Sequence, residues 1–409
     1  MFLIELDSTR QHANGSARPV PIVVFYPVDP QDVVGISTAR YPRNPFVNTA
    51  TQVFLSANFE ARGIDAAYDR ATRAAGPFPL LVLSQGARAP YWGNIGIAAR
   101  VAGHGFVVAL MAHYGEAAYA NVGPSDPLNH VAQRGLDRIL DMRLVIDRLT
   151  VDNGTPGHLF HELIDEGRIA AGGHSFGGLT AIQLVGGDDL ICDTYAAATP
   201  PASSCVPFLD VDTRIKALLL IDASSQNMHY GELARIGVPS LGIGEDPESI
   251  LRGFAGVIPS FWHARAHHAI SGRPNYRADV INTRHVASFT NTCQATLVRG
   301  DIGVLTPALV QTELSRLGCD DPSLTHYQTA NEVMWRYAVA FLQTALVGAP
   351  GLQRMLTPGW AISREPLVRF FVHERRNGQT LDDDFPDVRS FHMWQPNPDI
   401  EDHTAALEE

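Results

Sequence analysis

Arg168-Ile-Ala-Ala-Gly-Gly-His-Ser-Phe-Gly-Gly-Leu-Thr-Ala-Ile-Gln-Leu-Val185 holds three kinds of text in succession. A short apolar run of small residues comes first, then Gly173-His174-Ser175-Phe176-Gly177-Gly178, then Leu179, Ile182 and Val185 at helical spacing. Strand, tight turn and helix in that order place the pattern G-x-S-x-G at the turn. Such a turn lifts a serine Oγ clear of the sheet on a strained backbone, which requires neighbours without a Cβ. Ser175 is the candidate nucleophile; the bland alternative is a Gly-Ser turn with no chemistry.

Outward from this stretch the text alternates. Phe2-Leu-Ile-Glu-Leu and Val20-Pro-Ile-Val-Val-Phe-Tyr read as an antiparallel pair at a sheet edge. Phe78-Pro-Leu-Leu-Val-Leu reads as a buried strand ending in Ser84-Gln85-Gly86-Ala87. A helical pattern from Tyr91 to Ala102 and a second buried strand, Phe106 to Met111, follow, which implies a parallel crossover. A long helix is expected over Ala132 to Thr150. Further strands are expected at Arg214-Ile-Lys-Ala-Leu-Leu-Leu-Ile and Val238-Pro-Ser-Leu-Gly-Ile, and a helix over Thr329 to Leu346. The alternation predicts an α/β fold, a doubly wound and mostly parallel sheet with helices on both faces. Residues 28–77 read as a lid-like insertion within a domain of residues 1–350, and residues 351–409 as an extension packed on it, its Asp382-Asp383-Asp384 run a solvated loop.

The chain has 409 residues, 45% of them apolar, enough for a sizeable core. A formal charge of −12 with no basic stripe argues against nucleic acid or an anionic membrane as partner. No apolar run reaches the roughly 18 residues of a membrane span, and Met1-Phe-Leu-Ile-Glu-Leu-Asp is too short and acidic for a leader. On that reading the protein stays inside, or its numbering starts after a removed leader. The cysteines tilt the choice to export: Cys192 with Cys205 and Cys293 with Cys319 are spaced as two local disulfides, not as metal or redox CxxC pairs. A periplasmic or secreted protein is expected, with a cytoplasmic one carrying four thiols as the alternative.

A serine hydroxyl needs a histidine base and a carboxylate that orients it, and in this strand order the acid and then the histidine follow the serine. Among 16 histidines, His285 in Thr283-Arg284-His285-Val286 is the candidate base, expected in a loop beyond the strands. His263, His267 and His268 read as a solvated helical face rather than a metal pair, and His174 as a packing residue. Asp222 ends one strand; Asp246 and Glu248 follow the next, and all three are reasonable positions for the acid. The oxyanion needs preorganised N–H donors, and the residue after the nucleophile, Phe176, supplies one. The loop after the first core strand supplies the other, at Ala87.

From about residue 20 to 295 the chain resembles the bacterial dienelactone-hydrolase-like branch of the α/β-hydrolases that is similar to the platelet-activating-factor acetylhydrolases. The residues are Pro79-Leu-Leu-Val-Leu-Ser-Gln-Gly, Ile95-Gly-Ile-Ala, Gly103-His-Gly-Phe-Val-Val-Ala, Gly173-His-Ser-Phe-Gly-Gly, Leu220-Ile-Asp-Ala, and His285 with Phe289. The resemblance implies an α/β-hydrolase fold, favours Asp222 as the acid, and agrees with Ala87 as the second donor. The chain departs from the family at Gln85-Gly86, where His-Gly is usual.

Together these predict a serine hydrolase acting on carboxylic esters, small or polymeric, with Ser175, His285 and Asp222 and no metal or cofactor. Lactones, thioesters or amides are open to the same residues, and a silent binding protein is the reading from another class. The 28–77 insertion and the Cys192–Cys205 loop are expected to wall the pocket, with Tyr91, Trp92, Tyr114 and Trp262 as lining candidates or core.

Overall fold

Among the described residues nine strands hydrogen-bond into one sheet: β1 (Phe2–Gln11), β2 (Ala17–Phe25), β3 (Phe78–Ser84), β4 (Val107–Met111), β5 (Ile164–His174), β6 (Ile215–Ile221), β7 (Ser240–Glu245), β8 (Asn275–Val280) and β9 (Val368–His373). Their order is β1-β2-β4-β3-β5-β6-β7-β8-β9. Pairing is parallel from β4 through β8 and antiparallel for β1 with β2, β2 with β4, and β8 with β9. The structure, a computed structural model, describes residues 2–11, 15–42, 54–55, 67–69, 71–87, 89–114, 131–187, 211–225, 228, 230–246 and 261–373. Much of the expected lid, the Cys192–Cys205 loop, Glu248, the Trp262 side chain and Asp382 to Asp384 lie outside them.

Alternation along the core strands builds two layers. Leu80 and Val82 of β3 face Ile139, Ile146 and Leu149 of α2 (Val131–Gly154) and Ile182 of α3 (Phe176–Gly186). Leu81 and Leu83 face the other way, into a cluster with Ile95 and Val101 of α1 (Ile95–Ala102) and with the long C-terminal helix (Tyr327–Leu342) through Tyr337 and Phe341. A sheet buried on both faces explains why its central strands read as unbroken apolar runs.

Chain direction decides where chemistry can sit. From β3 the chain crosses to β4 on one side, and β5 pairs with β3 on the other. The order therefore reverses between β3 and β5, the place where open α/β sheets leave a crevice at the carboxyl ends of their strands. Gln85-Gly86-Ala87 and Ser175 emerge there.

Two strands were not legible as such. β8, Asn275-Tyr-Arg-Ala-Asp-Val, buries Arg277 and Asp279, and a central strand holding a charge pair does not read as apolar text. β9 pairs with β8 from almost ninety residues further along the chain. The helix α4 (Phe261–Ala269) corrects another expectation: His263 and His267 are buried against the sheet rather than solvated, because each ring finds polar partners inside.

Candidate active site

Ser175 stands between β5 and α3 with φ 55° and ψ −123°, a conformation that costs a residue with a Cβ roughly 1–3 kcal/mol. Hydrogen bonds hold it there: its N–H donates to Ile221 O (2.9 Å), and its carbonyl accepts from Gly178 N (2.9 Å) and Ser224 N (3.1 Å). The glycines are there for space. A Cβ on Gly177 would run into the carbonyl oxygens of Ser84 and Gln85, so the elbow and the β3 loop pack backbone to backbone.

Asp222 leaves the carboxyl end of β6 with φ 42°, its N–H donating to Ile243 O (2.5 Å). His285 Nδ1 donates to Asp222 Oδ2 at 2.5 Å. With Nδ1 carrying the proton, Nε2 keeps its lone pair and is free to act as a base. The loop expected for His285 is instead the first residue of a one-turn helix, α5 (His285–Phe289). Ser288 Oγ accepts from Arg284 N (2.9 Å), and Asn331 Nδ2 donates to Ser288 O (2.8 Å). Immediately downstream a disulfide joins Cys293, on α6 (Thr292–Asp301), to Cys319, beyond α7 (Pro307–Leu317). Its sulfurs pack in one cluster with Ala287 of α5.

The structure brings Asp222 and His285 together and sends Asp246 elsewhere, to an ion pair with Arg369 of β9 at 3.2 Å. His174 does more than pack. Its ring lies 4.5 Å from that of His285, and its Nε2 donates to the His285 carbonyl at 3.0 Å, which ties the base to the residue beside Ser175.

Burial sets the charges here. It raises the Asp222 carboxyl, but His285 beside it, with His263 and His174, outweighs this and holds the group below the usual aspartate range. His174, buried and next to His285, is pushed down to about 3 and stays neutral. Glu245, at the end of β7, is pushed up to about 9 by burial and by the Asp222 charge, although the backbone N–H of His285 donates to it. The carboxyls of Asp222 and Glu245 so share one desolvated pocket with the imidazoles of His174, His263 and His285, and of the two carboxyls only Asp222 is ionised at neutral pH.

No family model matches the chain, and no curated protein matches it. Among solved structures it is similar to a ferulic acid esterase from Streptomyces cinnamoneus, with 20% identity over 91% of this chain and 95% of that one and a TM-score of 0.55. The chain has the α/β-hydrolase fold. Among the described residues no helix is long and apolar enough to cross a membrane.

Within this α/β-hydrolase fold lies a hydrogen-bonded Ser-His-Asp chain, of other residues than those expected, that sequence reading missed. Ser84 Oγ bonds His113 Nε2 (2.8 Å), and His113 Nδ1 bonds Asp141 Oδ2 (2.9 Å). It cannot be a nucleophile: Ser84 is fully buried, and its oxygen accepts from Arg138 Nη2 (3.0 Å). Burial, helped by Arg138, pushes His113 down to about 4, so the ring is neutral. Arg138 also donates to the Gln85 carbonyl and, through Nε, to Thr180 Oγ1 (3.0 Å). Arg10 and Arg18 pair with Asp7, Asp137 and Asp141, so two guanidiniums meet three carboxylates in the interior. The signal was present on α2, where Asp137, Arg138 and Asp141 interrupt an otherwise apolar face.

Of the aromatic lining candidates, Tyr91 and Trp92 are core residues, the Tyr91 hydroxyl donating to Pro42 O (2.5 Å), and Tyr114 is partly exposed. Ala87 lies on the exposed turn after β3, and Phe176 at the start of α3.

Proposed function

We propose that the protein is a serine hydrolase that cleaves carboxylic esters, small or polymeric, through an acyl-enzyme. The observation that carries this reading is the His285–Asp222 hydrogen bond, held beside a serine in the strained elbow conformation. Ser175 Oγ attacks the ester carbonyl while His285 Nε2 takes its proton. Asp222 keeps the ring in the required tautomer and faces the imidazolium that forms. The backbone N–H groups of Phe176 and Ala87 receive the oxyanion, each worth about 3–4 kcal/mol in the transition state. The imidazolium returns its proton to the leaving alkoxide; water then attacks the acyl-enzyme by the same route and releases the acid.

A feruloyl ester belongs in the first substrate panel because a ferulic acid esterase shares the fold. The test is hydrolysis of p-nitrophenyl esters from acetyl to palmitoyl and of a ferulic acid ester, by wild type, Ser175→Ala and Asp222→Asn. Activity that vanishes in the first variant and falls by about 10⁴ in the second is the expected result. A wild type inert to every ester, or a Ser175→Ala protein that retains activity, overturns the reading. The disulfide between Cys293 and Cys319 supports export to an oxidising compartment, periplasmic or extracellular.

A further inference from the structure

The far side of Asp222 is not solvent. His263 of α4 is 1% exposed and stands with a carboxylate at each ring nitrogen. Its Nε2 lies 2.9 Å from Asp279 Oδ1 and its Nδ1 3.6 Å from Asp222 Oδ1. Asp279 in turn pairs with Arg277 Nη2 (2.8 Å), whose guanidinium covers the Phe371 ring at 3.9 Å. Read along the chain of contacts, charge-bearing groups alternate: Arg277, Asp279, His263, Asp222, His285.

Nε2 must carry a proton, because the carboxylate it faces can only accept. If Nδ1 carried none, its lone pair would face the Asp222 carboxylate across 3.6 Å in a buried site that gives it no hydrogen-bond partner. A doubly protonated ring donates to Asp279 Oδ1 and sets a positive charge 3.6 Å from Asp222 Oδ1. Space has been kept for this approach: a Cβ on Gly244 would lie 2.5 Å from Asp222 Oδ1 and 2.7 Å from His263 Nδ1.

We infer that His263 is a positioning residue, a buried imidazolium that clamps Asp222 Oδ1 so that Oδ2 stays charged and aimed at His285 Nδ1. The inference rests on the hydrolase reading given above. The other ionisable groups around the ring do not replace it. Glu245 of β7 donates its backbone N–H to Asp222 Oδ1 (3.3 Å), and its carboxyl brings no positive charge. His267, one turn along α4, is bonded through Nδ1 to Asn275 Oδ1 (3.0 Å), and His174 of β5 faces His285. Removing the imidazolium takes a positive charge from behind Asp222, which makes His285 easier to protonate.

His263→Gln keeps a donor for Asp279 but no charge, and Asp279→Asn removes the carboxylate that anchors the far nitrogen. Both variants are compared with wild type for kcat, KM, the pH profile of kcat/KM and the rate at which a fluorophosphonate labels Ser175. The expected result for each is a kcat lower by roughly 10- to 100-fold, KM within about twofold, labelling slowed in parallel, and the acid limb of kcat/KM displaced to higher pH. The ¹⁵N spectrum of histidine-labelled wild type, which needs no variant to fold, must also show a ring other than His285 protonated at both nitrogens at neutral pH. Variants that label and turn over like wild type with an unmoved profile overturn the inference, as does a spectrum with no such ring. A lowered melting temperature with unchanged kcat and profile overturns it too, since that is a structural role alone. Wild-type Ser175 that takes no probe brings down the hydrolase reading itself, an outcome distinct from all of these.

Discussion

The guanidinium of Arg138 lies 5.0 Å from the centre of the Phe176 ring, so one buried side chain touches both walls of the switch-point crevice. It donates to Ser84 Oγ and the Gln85 carbonyl on the β3 side and to Thr180 on α3. The two proposed oxyanion donors, at Ala87 and Phe176, are therefore fixed relative to each other by Arg138. Arg138→Lys keeps the charge and loses the fork that reaches both sides. We expect kcat to fall roughly tenfold or more with KM nearly unchanged, since a small misplacement of such donors acts on the transition state. Steady-state kinetics beside a thermal melt separate this from simple unfolding.

Gly244→Ala tests spatial tolerance behind the acid. The new methyl meets Asp222 Oδ1 and His263 Nδ1, and the carboxylate must turn away from His285 to admit it. Loss of kcat with unchanged far-ultraviolet circular dichroism is expected. Full activity in this variant would mean that the Asp222 orientation is not needed for turnover.

Reduction of the Cys293–Cys319 bond should weaken the enzyme from a distance. The bridge closes a 26-residue separation, for which chain entropy gives about 3 kcal/mol of stabilisation, and it anchors the cluster on which α5 and His285 rest. With dithiothreitol the melting temperature is expected to drop and activity to fall before global unfolding. Cys293→Ala should reproduce both effects.

Glu245→Gln should stabilise the protein, and increasingly so with rising pH. The folded-state acid is raised to about 9 by burial and Asp222, so stability present below the ordinary glutamate range is lost as the unfolded chain ionises between about pH 4.5 and 9. The slope is at most about 1.4 kcal/mol per pH unit. Melts of both proteins at pH 5, 7 and 9 test this: the gap between them must widen, because glutamine still accepts from the His285 N–H without a charge to desolvate.

Acid acts through other groups. His113 and His174 are pushed down to about 4 and about 3 by burial, with Arg138 and His285 respectively adding to it, so unfolded imidazoles bind protons below about pH 6.5 that the folded ones refuse. Folding free energy should decline from pH 6.5 downward by up to about 1.4 kcal/mol per unit for each ring. Urea titrations at pH 7, 6 and 5 measure it, and His113→Asn should flatten the slope.

Much of this site could be read from sequence because its signals are local. The glycines around Ser175 are adjacent in the chain and have one steric reason, Asp222 ends a recognisable strand, and His285 stands later in the chain, in the order that the serine and the acid require. What could not be read depends on pairing across the fold. His263 and His267 look like a solvated helical face until Asp279 and Asn275 are known to lie beneath them. Ser84, His113 and Asp141 come from two strand ends and a helix, and nothing in their spacing announces that they meet. β8 was hidden by the ion pair it buries, and the start of a helix at His285 by a motif only five residues long.

The antiparallel partner of β8 is β9, so the strand carrying Arg277 and Asp279 is sealed by residues translated much later. On the ribosome β8 emerges first and for a time offers an open edge, its charged pair lacking the Phe371 ring that will cover Arg277. Any extended segment of a neighbouring nascent chain can pair with that edge in the interval, and polysomes bring such chains close together. The β8 edge can gain its native partner only once residues 368–373 have been made, so truncations ending before residue 368 should yield protein prone to strand exchange rather than a smaller enzyme.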